Sequence, residues 1–312
     1  MKEMMLQTIL LCCLCLVSCS DSEENRPVLP PDQEQEEPET PDRPHDYTGL
    51  MNKTNSVPAN YEQEAEQRGE VVRVDYDTHD YAEGTGVART NTAYVYLPYG
   101  YDEHSDRRYN VLYFVHGHYG TAATTFEAEN GLVRKLLDHM TENGDMAPTI
   151  VVSPSYNYGN PTPNYVDADP YCEALPQELV NDLIPIVESR YRTYAESTDA
   201  AGLESSREHR AIGGFSMGAV TTWYALEHTL DYFKFFMPVS ADCWSLGAFA
   251  GMNRPTETAE YLAGIIRQSP HAGTGFYIWA ASGTDDSAYR ETLVQVEAMA
   301  QLTDVFPLSN LP

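Results

Sequence analysis

Residues 211–220 read AIGGFSMGAV and contain the pattern G-x-S-x-G, with its serine at position 216. Arg210–Phe215 is an apolar stretch that predicts a buried strand running into the serine, and Met217–His228 predicts a helix directly after it. A serine on a sharp turn between a strand and a helix is typical of a nucleophile elbow. Ser216 is therefore the candidate nucleophile, and the alternative is a serine that only caps a helix after a glycine-rich turn.

Hydrophobic periodicity on either side of this turn predicts an α/β fold. Apolar or alternating runs predict strands at 71–76, 92–98, 110–115, 149–153, 210–215, 235–240 and 276–282. Helical spacing predicts helices at 132–140, 178–191, 217–228, 257–267 and 287–302. Because strands and helices alternate, we expect a mostly parallel central sheet with helices on both faces.

A second set of backbone donors is predicted after the strand at 110–115. The segment 116–120 reads HGHYG, and its glycines allow backbone amides to approach a substrate. We expect the amides of His118 and Met217 to form an oxyanion hole, since the second lies at a helix N-terminus. The side chains of His116 and His118 are expected to be structural rather than to transfer protons.

The acid of a catalytic triad is expected at the end of a later strand. Asp286 and Asp285 follow the strand at 276–282, and Asp242 follows the strand at 235–240. Asp286 is the preferred candidate, with Asp285 as the fallback and Asp242 as a third choice. Each of them is also able to cap a helix.

Five stretches together resemble the esterase-D-type α/β-hydrolases, more narrowly the feruloyl and acetyl-xylan esterases of carbohydrate esterase family one. They are YVYLPYGYD, VLYFVHG, SREHRAIGGFSMGAVTTWYAL, PVSADCW and SGTDDSAY. The resemblance begins near residue 66 and implies hydrolysis of ester groups on plant xylan. It implies Ser216 as nucleophile, Asp286 as acid, and the Gly117-His118 loop with Met217 as oxyanion hole. It also suggests that Trp244, Tyr156 and Asn157 flank the acyl group or the sugar.

The histidine expected in this fold is missing from its usual place. The triad follows the chain order Ser, Asp, His, yet no histidine follows His271. His271 precedes the strand leading to Asp286, so we expect it at the opposite edge of the sheet, and His209 lies at the far end of the serine strand. We therefore expect a C-terminally truncated hydrolase that lacks the last strand and helix, the alternative being a natural redesign.

Three functions follow from these expectations. The first is a xylan esterase that is weak as written, because Ser216 has no general base. The second is a catalytically dead hydrolase kept as a glycan-binding surface protein. The third is another serine hydrolase on the same scaffold, such as an acyltransferase or a peptidase.

The N-terminus predicts secretion and lipid anchoring. Residues 1–19 form a short apolar segment ending in LVSC, which resembles a bacterial lipobox and implies cleavage before Cys19 and acylation of its thiol. The acidic residues that follow resemble a surface-export signal of Gram-negative lipoproteins. The alternatives are a plain signal peptide and a merely acidic linker. Residues 20–57 predict a disordered acidic, proline-rich tether, and 58–312 the esterase domain.

Charge and cysteine content restrict the partners further. The formal net charge of −28 argues against nucleic acid, so the expected partners are esterified plant polysaccharide and, through the lipid, the outer membrane. Cys172 and Cys243 are the only cysteines in the esterase domain, and the sequence leaves open whether they pair. No clustered Cys or His spacing predicts a metal, and no cofactor is expected.

Overall fold

The computed structural model describes residues 58–272 and 275–307. The expected signal segment, the lipidation at Cys19 and the tether at 20–57 lie outside the described residues. None of the helices in the described part of the chain is both long and apolar enough to cross a membrane.

One seven-stranded sheet organises the domain. Its strands are β1 (Glu70–His79), β2 (Ala88–Leu97), β3 (Asn110–Val115), β4 (Thr149–Ser153), β5 (Arg210–Phe215), β6 (Phe235–Val239) and β7 (Tyr277–Ile278). They lie in the order β1-β2-β4-β3-β5-β6-β7. The pairs β1–β2 and β2–β4 are antiparallel, and the remaining four pairs are parallel. The predicted mostly parallel sheet is confirmed.

The three strands at the centre of the sheet are buried along their whole length or nearly so. Every side chain of β3 and β4 is buried, and β5 is buried up to Gly214. Continuous apolar runs of this kind are typical of parallel strands with both faces covered. The sequence predicts the bounds of these three strands correctly, because no alternation of faces blurs their ends.

Helices cover both faces of the sheet. They are α1 (Thr124–Asn143), α2 (Asp169–Glu178), α3 (Ile184–Arg190), α4 (Ala200–Ser205), α5 (Met217–His228), α6 (Ala250–Asn253), α7 (Pro255–Gln268) and α8 (Tyr289–Met299). The α1 helix packs its apolar face on one side of the sheet, and α2, α5 and α7 pack on the other. Ten of the twelve residues of α5 are buried, so this helix lies at the centre of its layer.

A wide turn joins α2 to α3. The sequence predicts one helix over 178–191, whereas the helical path begins at Asp169 and contains a π-helical segment, Leu179–Leu183. Pro185 lies two residues after this segment and has no N–H group, so the ordinary i to i−4 ladder cannot continue through it. The wider turn accommodates the missing donor.

A buried ion pair fixes the start of the serine strand. The Arg210 guanidinium donates to both carboxylate oxygens of Glu188, at 2.6 and 2.9 Å, and also to the carbonyl oxygens of Leu203 and Tyr232. Both charged groups are almost completely buried. Because every donor of such a pair has a partner, loss of either member would leave an uncompensated charge in the core.

The last strand differs from its prediction. The sequence predicts a buried strand at 276–282. In the structure β7 spans only Tyr277–Ile278, and the Tyr277 side chain is exposed. Backbone hydrogen bonds to β6 continue as far as Ala281, whose amide donates to the Pro238 carbonyl at 3.2 Å. Since β7 ends the sheet in the described part of the chain, only its inner side is covered.

Candidate active site

The serine sits on a strained turn at the end of β5. Ser216 has φ 57° and ψ −119°, a backbone conformation that costs a non-glycine residue about 1–3 kcal/mol. Its side chain is half-buried rather than sealed in the interior. The backbone amide of Ser216 donates to the Val239 carbonyl at 2.9 Å, so the strained residue is still tied to β6. This is the strand-turn-helix geometry that the sequence predicts.

The two glycines of the G-x-S-x-G pattern are required by space. A Cβ atom on Gly218 would lie 2.1 Å from the Val115 carbonyl oxygen. A Cβ atom on Gly214 would lie 2.5 Å from the Gly218 carbonyl oxygen. Neither obstacle is a flexible side chain, so the turn closes only with glycine at both positions.

Two backbone segments bring amide donors to Ser216. Met217 is the first residue of α5, and its N–H group has no acceptor within the helix. The loop after β3 forms a turn in which the Gly120 amide donates to the Gly117 carbonyl at 2.9 Å, which leaves the central amides, including that of His118, outside the turn's own hydrogen bond. A Cβ atom on Gly117 would lie 3.6 Å from that of Ser216, so the loop lies against the serine.

A buried polar network supports this loop from behind. His116 contacts the Gly117 carbonyl through Nδ1 at 2.8 Å and the Ser155 hydroxyl through Nε2 at 2.9 Å. Burial lowers the pKa of His116 to about 4, so its ring is neutral near pH 7. A carbonyl only accepts, so Nδ1 carries the proton and Nε2 accepts from Ser155. His116 is therefore structural, as the sequence predicts.

Asn157 clamps the other end of the same loop. Its Nδ2 donates to the Gly120 carbonyl at 3.0 Å, its Oδ1 accepts from the Gly159 amide at 3.0 Å, and the same Oδ1 lies 2.7 Å from the Ser155 hydroxyl oxygen. Asn157 and Tyr156 are both buried, and the Tyr156 ring packs on His116. These contacts do not support the predicted substrate contact of Tyr156 and Asn157, because their side chains are engaged or covered inside the fold.

The network extends to residues that the sequence does not single out. Asn91 on β2 donates through Nδ2 to the Ser155 carbonyl and to Glu178, both at 2.8 Å. Tyr76 donates to the same carboxylate at 2.6 Å. Burial raises the pKa of Glu178 to about 7 despite these donors. A glutamate at the end of a helix carries no sequence signal of burial, since charged residues there are normally solvated.

The candidate acids occupy three different environments. Asp286 is partly buried and accepts from the Ala288 amide at 3.1 Å, with the hydroxyls of Ser282 and Ser287 each at 3.4 Å, and Asp285 is exposed. Asp242 is completely buried and accepts from the Trp244 indole N–H at 2.8 Å and the Met252 amide at 2.7 Å. Asp242 therefore holds the loop after β6, and Asp286 remains the proposed triad acid.

Another carboxyl group, that of Glu291, lies close enough to Asp242 and Asp286 to be repelled by both. Glu291 on α8 is half-buried, and burial followed by repulsion from Asp242 and Asp286 raises its pKa to about 7. A buried glutamine on the same helix, Gln295, accepts from the Cys243 amide at 2.6 Å. The α8 helix thus carries polar groups toward the end of β6, which hydrophobic periodicity alone does not predict.

A cluster of aromatic side chains extends from the His118 ring to Trp244. The Trp244 ring is 3% exposed and contacts Phe249, with 4.7 Å between ring centroids. Tyr165 lies 6.4 Å from Trp244 and 6.3 Å from the His118 ring. The position of Trp244 near the acyl group stays a prediction. Trp244 and Phe249, whose rings contact each other, are called the aromatic wall below.

None of the hydrogen bonds among the described residues joins a histidine to Ser216 or Asp286. His271 contacts the Asp231 carboxylate at 2.8 Å, just before β6 begins. It therefore lies at the amino end of β6, opposite the carboxyl end of β5 that carries Ser216, as the sequence predicts. His209 contacts Asn110 at 2.8 Å, at the start of β3. His139 stacks on Tyr61 on the far side of α1. The described residues therefore place a serine beside a loop with free amide donors, and among them no histidine is hydrogen-bonded to Ser216 or to the acid candidate Asp286.

The two cysteines of the domain are free thiols and both are buried. Burial raises the pKa of Cys243 to about 12, and it raises that of Cys172 as well. Neither thiol is therefore ionised near pH 7. They act as small apolar core residues, which answers the question that the sequence leaves open.

This arrangement suits acyl transfer. A strained, half-buried hydroxyl lies between amides that do not need to reorganise when negative charge forms on a carbonyl oxygen. Removal of one such donor costs about 10² to 10³ in rate in serine hydrolases. No group of three Cys, His, Asp or Glu side chains in the described part of the chain could hold a metal ion.

Known proteins share both the sequence and the fold. A model of the family described as "Putative esterase" matches residues 85–308. Endo-1,4-beta-xylanase Y of Acetivibrio thermocellus is 38% identical over 246 residues, which are 79% of this chain and 20% of that protein. Endo-1,4-beta-xylanase/feruloyl esterase of Xylanibacter ruminicola is 30% identical over 145 residues, 46% of this chain and 18% of that protein. The chain thus spans about a fifth of the length of these relatives.

Solved structures agree with this similarity. A serine-to-alanine mutant of the feruloyl esterase module from Clostridium thermocellum, complexed with sinapinate, is 37% identical with a TM-score of 0.68, over 80% of this chain and 78% of that one. A ferulic acid esterase that is 21% identical, with a TM-score of 0.52 over 77% of this chain and 88% of that one, shares the fold. This chain therefore belongs to the esterase family matched above, a family of serine esterases with the α/β-hydrolase fold.

Proposed function

We propose that this protein is a serine carboxylic-ester hydrolase that removes feruloyl or acetyl groups from plant xylan. The observation that carries the proposal is the strained conformation of Ser216, at φ 57°, beside the amides of Met217 and His118. The names of the relatives, which include a xylanase/feruloyl esterase, support xylan as the polymer.

The proposed reaction follows from the geometry. The Ser216 Oγ attacks the ester carbonyl carbon as its proton passes to a base, and the carbonyl oxygen becomes an oxyanion that the two amides stabilise. Collapse breaks the bond to the alcohol oxygen, which takes the proton from the base and leaves as the sugar hydroxyl. Water then repeats the sequence on the acyl-serine and releases the carboxylic acid.

The base is the missing component. We propose that the 312-residue polypeptide hydrolyses esters weakly, because no described histidine is hydrogen-bonded to Ser216. Binding and the oxyanion hole alone retain about 10³ to 10⁴ of acceleration over water in serine proteases stripped of a triad member. Free imidazole added to the solution should take up the proton and raise the rate.

The aromatic wall favours feruloyl over acetyl as the acyl group. Phe249, which is half-buried and packs on the covered Trp244 ring, offers flat apolar surface, which suits a phenolic ring better than an acetyl group. The Trp244 indole is held by Asp242 at 2.8 Å, so its plane is fixed before substrate arrives. A preorganised slot of this kind favours a rigid, flat ligand.

The test is hydrolysis of methyl ferulate and of acetylated xylan, with and without imidazole. We expect imidazole to accelerate methyl ferulate hydrolysis by the wild-type protein, and Ser216→Ala to abolish the accelerated rate. Ser205→Ala, at an exposed serine of α4, is the matched control and should keep it. Failure of the folded protein to cleave either substrate in imidazole would contradict the proposal.

One observation favours a second candidate, a glycan-binding surface protein without catalysis. It is that none of the described histidines is hydrogen-bonded to Ser216. The two candidates separate in one experiment, because a binding protein retains feruloylated xylan without cleaving it at any imidazole concentration. An acyltransferase or peptidase would instead release product only with its own acceptor or peptide substrate.

For location, we propose an outer-membrane lipoprotein of a Gram-negative bacterium, exposed at the cell surface. The support is the LVSC sequence ending at Cys19 and the acidic residues after it. Expression of the whole chain with labelled fatty acid should label the wild type and not Cys19→Ser. Equal labelling of both would contradict the proposal, and protease treatment of intact cells tests surface exposure.

A further inference from the structure

The aromatic residues near Ser216 differ greatly in depth. Trp244 is 3% exposed, whereas Tyr165 is 48% and Tyr119 is 80% exposed. Trp244 and Phe249 therefore form an inner wall, and Tyr119 and Tyr165 form an outer rim. An exposed aromatic side chain at a catalytic entrance presents a flat apolar face to whatever part of the substrate remains outside.

The outer rim is joined to the serine by a short path. Gly117 lies against Ser216, and Tyr119 follows two residues later in the same turn. The Tyr119 ring contacts the His118 ring edge-on, with 4.4 Å between centroids, and His118 lies 6.3 Å from Tyr165. The His118 ring therefore lies next to both rim tyrosines, in the residue that follows Gly117.

The imidazole of His118 offers hydrogen-bonding capacity at this rim. Its side chain is only 7% exposed, and neither ring nitrogen has a hydrogen-bond partner among the described residues. Tyr119 has no hydrogen bond to described residues that would hold its ring in place, and an exposed ring turns on a fast timescale. A ligand hydroxyl that approached either ring nitrogen would supply the missing partner.

The two halves of a polysaccharide ester make different demands on such a site. The acyl group is small enough for the protein to enclose it, whereas the alcohol belongs to a polymer that cannot be enclosed. A sugar ring has an apolar C–H face, which packs on an aromatic ring, and hydroxyls at its edge, which need polar partners. The exposed rim, with two tyrosine faces and one unpartnered imidazole, offers both kinds of contact.

We propose that Tyr119 and Tyr165 form a platform for the sugar residue that carries the ester, on the leaving-group side of Ser216. The platform binds a pentose ring of the xylan side chain or backbone, and His118 hydrogen-bonds one of its hydroxyls. This inference rests on the proposed function, since it assigns the alcohol half of the same ester. Binding energy from a remote sugar then serves to orient the carbonyl on Ser216.

The test compares a substrate that has the sugar with one that lacks it. Tyr119→Ala should lower kcat/KM for a feruloylated arabinoxylan oligosaccharide by about tenfold and leave that for methyl ferulate unchanged, both measured in imidazole. Tyr165→Ala should show a larger loss on the oligosaccharide than on methyl ferulate. Tyr99→Ala is the matched control. This exposed tyrosine follows β2, which runs antiparallel to β4 and therefore ends away from Ser216.

A binding measurement removes the dependence on turnover. In the Ser216→Ala background, Tyr119→Ala should weaken the Kd for the oligosaccharide about tenfold and leave the Kd for methyl ferulate unchanged. Equal losses on both ligands would place Tyr119 at the acyl group and overturn the platform, as would no loss on the oligosaccharide. If the wild-type protein neither binds nor cleaves either compound, the proposed function itself has failed.

Discussion

The nucleophile side and the acid side of the candidate active site are held with different firmness. Around Ser216, the backbone is held by glycines that have no room for a Cβ atom, by buried strands and by a hydrogen-bonded loop. Around Asp286, two of the three contacts of the carboxylate are 3.4 Å long, and β7 is a short strand with an exposed face. The difference shows that packing and hydrogen bonds hold the serine turn and the loop beside it in place, whereas the Asp286 carboxylate is held by few and long contacts.

The largest expected effect tests the crowding on the nucleophile side. Gly218→Ala places a methyl group 2.1 Å from the Val115 carbonyl oxygen, so the turn must open. We expect a loss of about 3 kcal/mol or more in the free energy of unfolding, measured by urea denaturation, together with loss of esterase activity.

Gly264→Ala is the control for that variant. Gly264 lies within α7, and a Cβ atom there would have no heavy atom within 4 Å. This substitution should raise stability by up to about 1 kcal/mol, since alanine favours a helix. Equal effects of the two substitutions would show that the turn at Ser216 is not crowded.

The next effect tests the loop clamp. Asn157→Ala removes the donor to the Gly120 carbonyl at 3.0 Å, so the turn that carries the His118 amide loosens. We expect kcat to fall by about 10 to 10² with KM little changed, because the lost contact acts on an oxyanion donor rather than on the bound substrate. Steady-state kinetics with methyl ferulate in imidazole gives both constants.

Asn160→Ala in the same loop provides the comparison. Asn160 is exposed, and its amide donates only to the Tyr158 carbonyl at 3.2 Å. Its kinetics should match those of the wild type. If Asn157→Ala instead raised KM and left kcat unchanged, the result would favour the substrate contact that the sequence predicts.

A smaller effect is expected on the acid side. A triad acid acts through the histidine it orients, and its loss costs about 10⁴ where that histidine is in place. In the 312-residue protein we expect Asp286→Asn to lower the imidazole-supported rate by no more than about tenfold, and Asp285→Asn to have no effect. A loss above about 10³ would mean that a histidine of this chain already works with Asp286.

The smallest effect concerns stability and pH. The pKa of Glu291 is raised to about 7 in the folded protein, so this carboxyl keeps a proton that the unfolded chain releases above about pH 4.5. Its contribution to stability is therefore present below pH 4.5 and is lost as pH rises through 7. Glu291→Gln should raise the Tm relative to wild type more at about pH 8 than at about pH 5.

Glu297→Gln on the same helix is the matched control. Glu297 is exposed, so its substitution should shift the Tm equally at both pH values. A pH-independent difference between Glu291→Gln and wild type would show that burial and repulsion from Asp242 and Asp286 do not raise the pKa of Glu291.

The sequence predicts the nucleophile side much better than the acid side, for a physical reason. Buried parallel strands read as continuous apolar runs, and a tight turn demands glycine, so Arg210–Phe215 and the serine turn leave clear signals. The supporting network leaves none, because Asn91, Ser155 and Glu178 meet only after the strands assemble. The same holds for Asn157, whose sequence neighbours suggest a substrate loop.

The prediction at β7 went too far for a related reason. Residues 276–282 read as a buried strand because they are apolar, yet hydrophobicity does not report whether a neighbouring strand covers both sides. In the structure only the side facing β6 is covered, and Tyr277 stacks on Phe235 with its outer face exposed. Burial of an apolar run is thus a property of the whole sheet.

The most direct test of the central claim is covalent labelling of Ser216. The 312-residue protein is incubated with a fluorophosphonate, with and without imidazole, and the modified serine is identified by peptide mapping. The structure predicts that Ser216 is labelled far faster than the exposed Ser205, and that imidazole speeds its labelling further. Labelling of Ser216 no faster than Ser205 in the folded protein, under both conditions, would contradict the claim that the fold holds this hydroxyl as a nucleophile.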